Sequence, residues 1–577
     1  MLYQRSMMQN PFDSAFFIGY VNEVSAQGVH IHFPSANLLH DFRHYGSRFP
    51  GGNVGSYVVI EGAEYGFLTK IVSLSLPDSE RKEITEKAIL HNDAVFHPIA
   101  QAELLLTFSV HAPNITEKTV ARFPSIGAKA YSCSDEQMAT YIKEFGKQTD
   151  ESKNIYTKLG VLTSNHADCN VSLNSLFNRH CAIVGTTGGG KSWTVAKLIE
   201  LIRQETDNKI ILIDATGEYA NQPAKHLTLG SDAYFPYHKL TIADLFFLLR
   251  PTGQSQRPIL LEAIRSLKIV RIINDKLQAP DSEPINNLID NGVLKKAGKT
   301  KVNFKRFYYR NIKLIEDNSC NFNIHKLPQQ IREECVFPVG GTDDSWGNFN
   351  ARDFDYQTSL ICRIGEILRN DIFSELFGFS DRLVGESVIS SLEEFLTNRS
   401  DGMCRISFEQ IPSVSYAKEI VANAIAAFLL ITARKKKFRS SPVVLILDEA
   451  HQFLNKNVND DYFSTQPLEA FDIIAKECRK YGLFLGIATQ MPRDIPIGTL
   501  SQMGTFIAHR LINEQDRKAI ENACSSANRN SLAFLPALGA GEALLIGVDF
   551  PMPLTLKIEK PLVPPNSQTP SLTSRIF

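Results

Sequence analysis

At 577 residues, 43% hydrophobic and 21% charged, the chain has the composition of an ordinary soluble globular protein with room for two or more domains. A formal net charge of -1 excludes a uniformly basic nucleic-acid coat while leaving room for a local basic surface. Nine cysteines stand singly, with no C-x-x-C pair and no zinc spacing, and the longest strongly apolar run, near Ala424 to Ala433, is too short for a bilayer. With no signal peptide evident, the expectation is a cytoplasmic protein that makes no use of a membrane.

Residues 1–120 read as a small N-terminal β-barrel or sandwich. Short alternating runs at Phe16 to Val21, Val29 to Phe33, Ser56 to Ile60 and Gly66 to Val72 are punctuated by glycine. This region shows no paired carboxylates and no nucleophile beside a base, so its expected role is docking. Residues 121–175 read as a mixed connector.

The stretch around which the chain is organised is His180 to Ser192, an apolar run followed by a complete G-x-x-x-x-G-K-[ST] pattern. Gly185, Gly188, Gly189 and Gly190, with Thr186 and Thr187 between them, let the backbone turn inward around a polyphosphate. Lys191, Ser192 and Trp193 open a helix whose positive end faces the anion. Lys191 is expected on the β- and γ-phosphates and Ser192 on Mg²⁺, which makes ATP and Mg²⁺ the expected cofactors. After that helix, Lys209 to Asp214 is a second buried-strand pattern, so 176–234 reads as the first part of a parallel-sheet ATPase core.

Residues 235–400 carry long helical spacings and no strand series, which reads as a mostly helical insertion. Within it Lys295, Lys296, Lys299, Lys301, Lys305, Arg306, Arg310 and Lys313 accumulate without an acid, interleaved with Phe304, Phe307, Tyr308 and Tyr309. Such a stretch could grip a phosphate backbone, although a solvated basic face over a small aromatic core is the better default.

The core resumes over 401–559. Cys404 to Ile411 reads as a strand, Ser415 to Ala433 as a helix with Ser415 as N-cap, and Val443 to Leu447 as a fully apolar strand ending in Asp448-Glu449. Ligands bind outside the carboxyl ends of strands in an open α/β sheet. Asp448 is therefore expected to hold Mg²⁺ and Glu449 to orient and deprotonate the attacking water. A polar loop over Asn455 to Ser464, a helix from Leu468 to Tyr481 and a strand from Leu483 follow, with Gln490 placed to sense the γ-phosphate. Residues 560–577 read as a flexible Pro/Ser/Thr-rich tail.

These motifs together resemble the HerA family of hexameric DNA translocases, in the same broad group as FtsK. The carriers are Arg179-His180 leading into Gly185 to Ser192, Asp214 to Tyr219, Asp448 to His451, Cys478 to Gly482, Ala488 to Pro492 and Gly541 to Leu544. The resemblance implies a RecA-like P-loop ATPase domain, a homohexameric ring pumping double-stranded DNA, and barrels that dock a nuclease or a NAD-consuming effector in anti-phage defence or DNA end processing. It also implies that Arg479 acts in trans on the neighbour's ATP and that Arg179 lies near the phosphates of its own subunit. Asp448 to His451 also spells the DEAH-box signature. Only about 90 residues follow Gln490, too few for the second RecA-like domain such helicases need. A ring that assembles or gates an effector with little translocation is the alternative that shares the same ATP site.

Overall fold

The computed structural model describes residues 10–567 apart from 26–27, 45–46, 82–95, 111, 118–121, 135–136, 139–140, 142–154, 164–166, 276–282, 381–384, 399–401, 412–415, 455–467 and 525–528. Near the N-terminus, β1 (Phe17–Ser25), β2 (Gly28–His32), β3 (Tyr57–Ile60), β4 (Tyr65–Ser75), β5 (Ile99–Ser109), β6 (Ala112–Glu117) and β7 (Lys129–Ser132) form an antiparallel sheet. Its order is β2-β1-β7-β3-β4-β5, with β5 also paired to β2, so six strands close into a barrel and β6 hangs on β5. Closure gives each of the six barrel strands a partner on both sides and the inward-facing positions one shared interior. Ile18, Val21, Ile31, Phe33, Val58, Ile60, Phe67 and Ile71 fill it.

Beyond the barrel the chain runs through β8 (Tyr156–Leu162), β9 (Asp168–Ser172), β10 (Cys181–Val184), α1 (Lys191–Glu205), β11 (Lys209–Asp214) and β12 (Lys225–Thr228). A run of helices follows: α2 (Ile242–Leu249), α3 (Gln256–Asp275), α4 (Val302–Arg310), α5 (Leu327–Glu334), α6 (Ala351–Arg369), α7 (Asp371–Phe377) and α8 (Val388–Thr397). Next come β13 (Met403–Ser407), α9 (Ala417–Arg434), β14 (Val443–Leu447), α10 (Ala470–Glu477), β15 (Leu483–Thr489), β16 (Thr505–Ala508), β17 (Glu542–Gly547) and β18 (Leu554–Ile558).

By packing the chain divides into two units, residues 1–207 with 484–493 and 497–565, and residues 208–483 with 494–496 and 566–577. In the first, seven strands lie in the order β9-β8-β18-β17-β16-β10-β15. Here β10 is parallel to both β15 and β16, whereas β16, β17, β18, β8 and β9 pair antiparallel. In the second, β14-β11-β13-β12 are all parallel. Every residue of β10, β11 and β14 is buried, as expected of parallel strands covered on both faces, which is why β10, β14 and the Ile210 to Ile213 centre of β11 read as unbroken apolar runs.

Several boundaries differ from the sequence reading. The strand that closes the barrel, β7, lies past residue 120, and β8 and β9 belong to the core sheet, so 121–175 is not a connector. Four residues in β7 and a register shift in β8 leave too little alternation to recognise. Tyr416, in the left-handed region at φ 56°, occupies the N-cap of α9, and Ser415 falls outside the described residues. The same holds for the loop from Asn455 to Ser464. The start of the tail is tied down, with the Leu562 N–H donating to Glu200 and the Asn566 N–H to the Glu218 carbonyl. Among the described residues no helix is long and apolar enough to cross a membrane.

Candidate nucleotide site

In the first unit, β10 delivers the chain into a loop over Gly185 to Gly190, and α1 begins at Lys191 with Gly190 as its N-cap at φ 117°. A φ of that size suits glycine, and a Cβ there would stand 3.1 Å from both the Gly541 Cα and the His509 ring. The N–H groups of the first turn have no intrahelical acceptor, which makes this end of α1 a receptor for phosphate. The loop is seated by neighbouring strand ends. The Gly185 N–H donates to the Thr489 carbonyl at 3.3 Å, and the Thr186 N–H to the Arg510 carbonyl at 2.9 Å. Lys191 lies over the loop, 3.4 Å from the Thr186 carbonyl. Gln490 joins it as well, its Oε1 accepting from the Thr187 hydroxyl at 2.5 Å. Thr187 and Gly188 are exposed, while Ser192 and Trp193 are half-buried as the second and third residues of α1.

One part of this seat had no motif to announce it. His509 follows β16, is fully buried, and packs its Cβ against the loop, where a Cβ on Gly185 would meet it at 2.6 Å. Its Nδ1 is 2.8 Å from the Glu542 carbonyl and its Nε2 is 2.8 Å from the hydroxyl of Thr194 on α1. A carbonyl can only accept, so Nδ1 carries the proton and Nε2 accepts from Thr194. Burial, with a further push from the Lys191 ammonium, holds the imidazole pKa down to about 4 against the Glu542 hydrogen bond, so the ring is neutral. The Gly541 N–H also donates to the Gly189 carbonyl at 3.1 Å. Gly541-Glu542 thus has a physical task, bracing the loop through its own backbone. The available signal was a lone histidine closing the apolar strand Thr505 to Ala508.

In the second unit, β14 ends at Asp448 and Glu449. Asp448 is buried and its N–H donates to the Ile213 carbonyl. Glu449 is buried at φ 46° and ψ 49°, a left-handed conformation that costs a non-glycine residue about 1–3 kcal/mol. Strain of that kind persists where a side chain must be aimed, and the His451 Nδ1 stands 3.3 Å from the Glu449 carboxylate. Asp214, in the family-like stretch at the end of β11, is a scaffold residue. Its carboxylate accepts from the N–H groups of Thr216, Gly217 and Tyr219 and pairs with the buried Arg405 Nε at 2.7 Å.

The two arginines differ. Arg479 is exposed in a 3₁₀ turn, Cys478–Tyr481, that follows α10 and stops at Gly482. It therefore stands in a turn after the helix and not at a helix end. Arg179 precedes β10 at the end away from the loop. Four strand residues at about 3.3 Å each put roughly 13 Å between them, and its Nε lies 4.0 Å from Asp549. This overturns its expected place near its own subunit's phosphates: adjacency in sequence became opposite ends of one strand. Among the described residues no cluster of three or more His, Cys, Asp or Glu is placed to hold a metal. Of the two residues expected on magnesium, Ser192 is in the first turn of α1 in the first unit and Asp448 follows β14 in the second.

Residues 157–351 match the family model described as Helicase HerA, central domain, and residues 367–575 the model described as Helicase HerA-like C-terminal. The DNA double-strand break repair helicase HerA of Saccharolobus solfataricus is 24% identical over 526 residues, covering 88% of this chain and 87% of that protein. A probable helicase of Methanocaldococcus jannaschii is 24% identical over 416 residues, 68% of each chain. Among solved structures, VirB4 of Thermoanaerobacter pseudethanolicus aligns over 70% of this chain and 96% of its own, at 13% identity and a TM-score of 0.40.

Proposed function

Since this chain belongs to the HerA family of P-loop ATPases, we propose that it hydrolyses ATP to drive itself along double-stranded DNA as a homohexameric ring. The observation that carries this reading is the seated loop, with α1 starting at Lys191 and Gln490 bound to Thr187. A hydrogen bond from the loop to Gln490, directly after β15, gives the nucleotide's state a route into the sheet.

In this reading Lys191 neutralises charge on the β- and γ-phosphates, and the amides of Gly185 to Trp193 cradle them. Ser192 and Asp448 hold Mg²⁺, which supplies charge neutralisation when bound. Glu449 takes the proton of the attacking water, and its strained backbone fixes its aim. Arg479, exposed on its turn, reaches the neighbouring subunit's site. The closed barrel presents a face for an effector, a nuclease or a NAD-consuming protein, in anti-phage defence or DNA end processing in the cytoplasm.

The test is phosphate release by the intact chain with duplexes of increasing length. Turnover that climbs with length and then saturates is the expected result. A rate indifferent to duplex would favour a ring that gates its effector without moving along DNA.

A further inference from the structure

We propose that the exposed cations just before, on and just after α4 make a second contact for duplex DNA, one that grips the phosphate backbone from the helical insertion. The inference rests on DNA being the substrate and goes beyond it by naming a surface outside the nucleotide-binding core.

The eight cations from Lys295 to Lys313 are sorted by the fold into two groups. Four are engaged within the insertion. Lys295 pairs with Glu333 at 2.9 Å, and Lys296, buried, pairs with the equally buried Glu334 at 2.5 Å while its ammonium lies over Phe304 and Trp346. Lys301 donates to the carbonyls of Pro338 and Asp343, and Lys305 stands 3.4 Å from Asp344. The aromatics Phe304, Phe307 and Tyr308 pack on Ile269, Val270, Ile273 and Ile315. To that extent the stretch is a basic rim over a small core.

The second group is turned to solvent. Lys299, Arg306, Arg310 and Lys313 are all exposed, and Tyr309 among them is 69% exposed. Arg306 and Arg310 are four apart on α4 and so share a face, about 6 Å apart along its axis. That is the axial rise of roughly two nucleotides of one strand, at about 3.4 Å each. Cations in the last turn of a helix answer its dipole, which accounts for Arg310 but not for Lys299 or Arg306. A chain of net charge -1 that places four exposed cations and one exposed tyrosine within fifteen residues presents a surface complementary to a polyanion. Ile312 and Leu314, also exposed, border the patch; a protein partner would use them, whereas phosphates would use the cations.

The test is fluorescence anisotropy of a labelled duplex with the full chain, titrated across salt concentrations, for wild type and for Lys299→Gln/Arg306→Gln/Lys313→Gln. Each lost phosphate contact should flatten the slope of log K against log salt by about 0.9, so by nearly 3 units in all. ATP turnover without DNA and thermal melting should stay at wild-type values, which shows that the variant folds. The single variant Arg306→Glu should weaken binding by itself. Unaltered slope and affinity in both variants, with a wild type that binds duplex, would overturn the proposal, and that is the outcome if the face serves a protein instead. A wild type that does not bind duplex at all would overturn the DNA reading on which it rests.

Discussion

Replacing His509 by Phe keeps an aromatic ring against the loop and removes both of its hydrogen bonds. The Thr194 hydroxyl and the Glu542 carbonyl then lose their partner inside the protein, at about 1–3 kcal/mol each, so the variant should be less stable by roughly 3 kcal/mol at neutral pH. The gap should narrow in acid. With a folded pKa of about 4 against an unfolded 6.5, the unfolded chain binds the proton first as pH falls. Wild type therefore loses stability through the window from 6.5 to 4, and the variant, lacking the group, escapes that loss. At pH 4.5 the penalty is about 2.5 kcal/mol. Hydrogen exchange of the slowest α1 amides at pH 7.5 and 4.5 measures the gap locally, and carboxylates common to both proteins cancel in the difference. The nucleotide KM should also rise more than kcat falls, because His509 sets the loop's seat. A stability gap that is the same at both pH values would refute the buried neutral histidine.

Asp214→Asn should destabilise the second unit by about 3 kcal/mol, because it takes from the buried Arg405 guanidinium its close, buried charge partner and leaves only the more exposed Glu409 at 4.0 Å; chemical denaturation checks it, and a double variant with Arg405→Met should lose less than the sum of the two single changes. Glu449→Gln should keep nucleotide affinity in calorimetry while hydrolysis stalls, since an amide does not take the water's proton; equal loss of binding would make Glu449 structural. Doping Arg479→Ala into wild type should poison turnover more steeply than its fraction, and mixing it with Lys191→Ala should restore some activity, fingers of this type being worth about 10³ to 10⁵ in rate. Strictly linear loss without rescue would remove Arg479 from its neighbour's site.

What the sequence made legible follows from how locally each feature is encoded. The loop and α1 could be read because glycine spacing, a strand and a helix start must occur in that order for phosphate binding, and β14 because a strand buried on both faces has no polar residue to interrupt it. The barrel's closure could not be read: it depends on β5 pairing back to β2 and on the four residues of β7. Arg179 was misplaced because a motif gives order along the chain and not direction across a strand. The cation stretch was ambiguous for a related reason. Glu333 and Glu334, which neutralise Lys295 and Lys296, arrive from a helix 38 residues further on. His509 belongs to no pattern at all, and its role appears only where β16, β17 and α1 meet.

The central claim, movement along duplex DNA driven by ATP, is met most directly by displacement of a triplex-forming strand placed at increasing distances from a duplex end. With ATP, wild type should release that strand after a lag that grows in proportion to distance, and Glu449→Gln should not release it. Hydrolysis that proceeds at full rate while the strand stays bound, or leaves with no dependence on distance, would contradict the account.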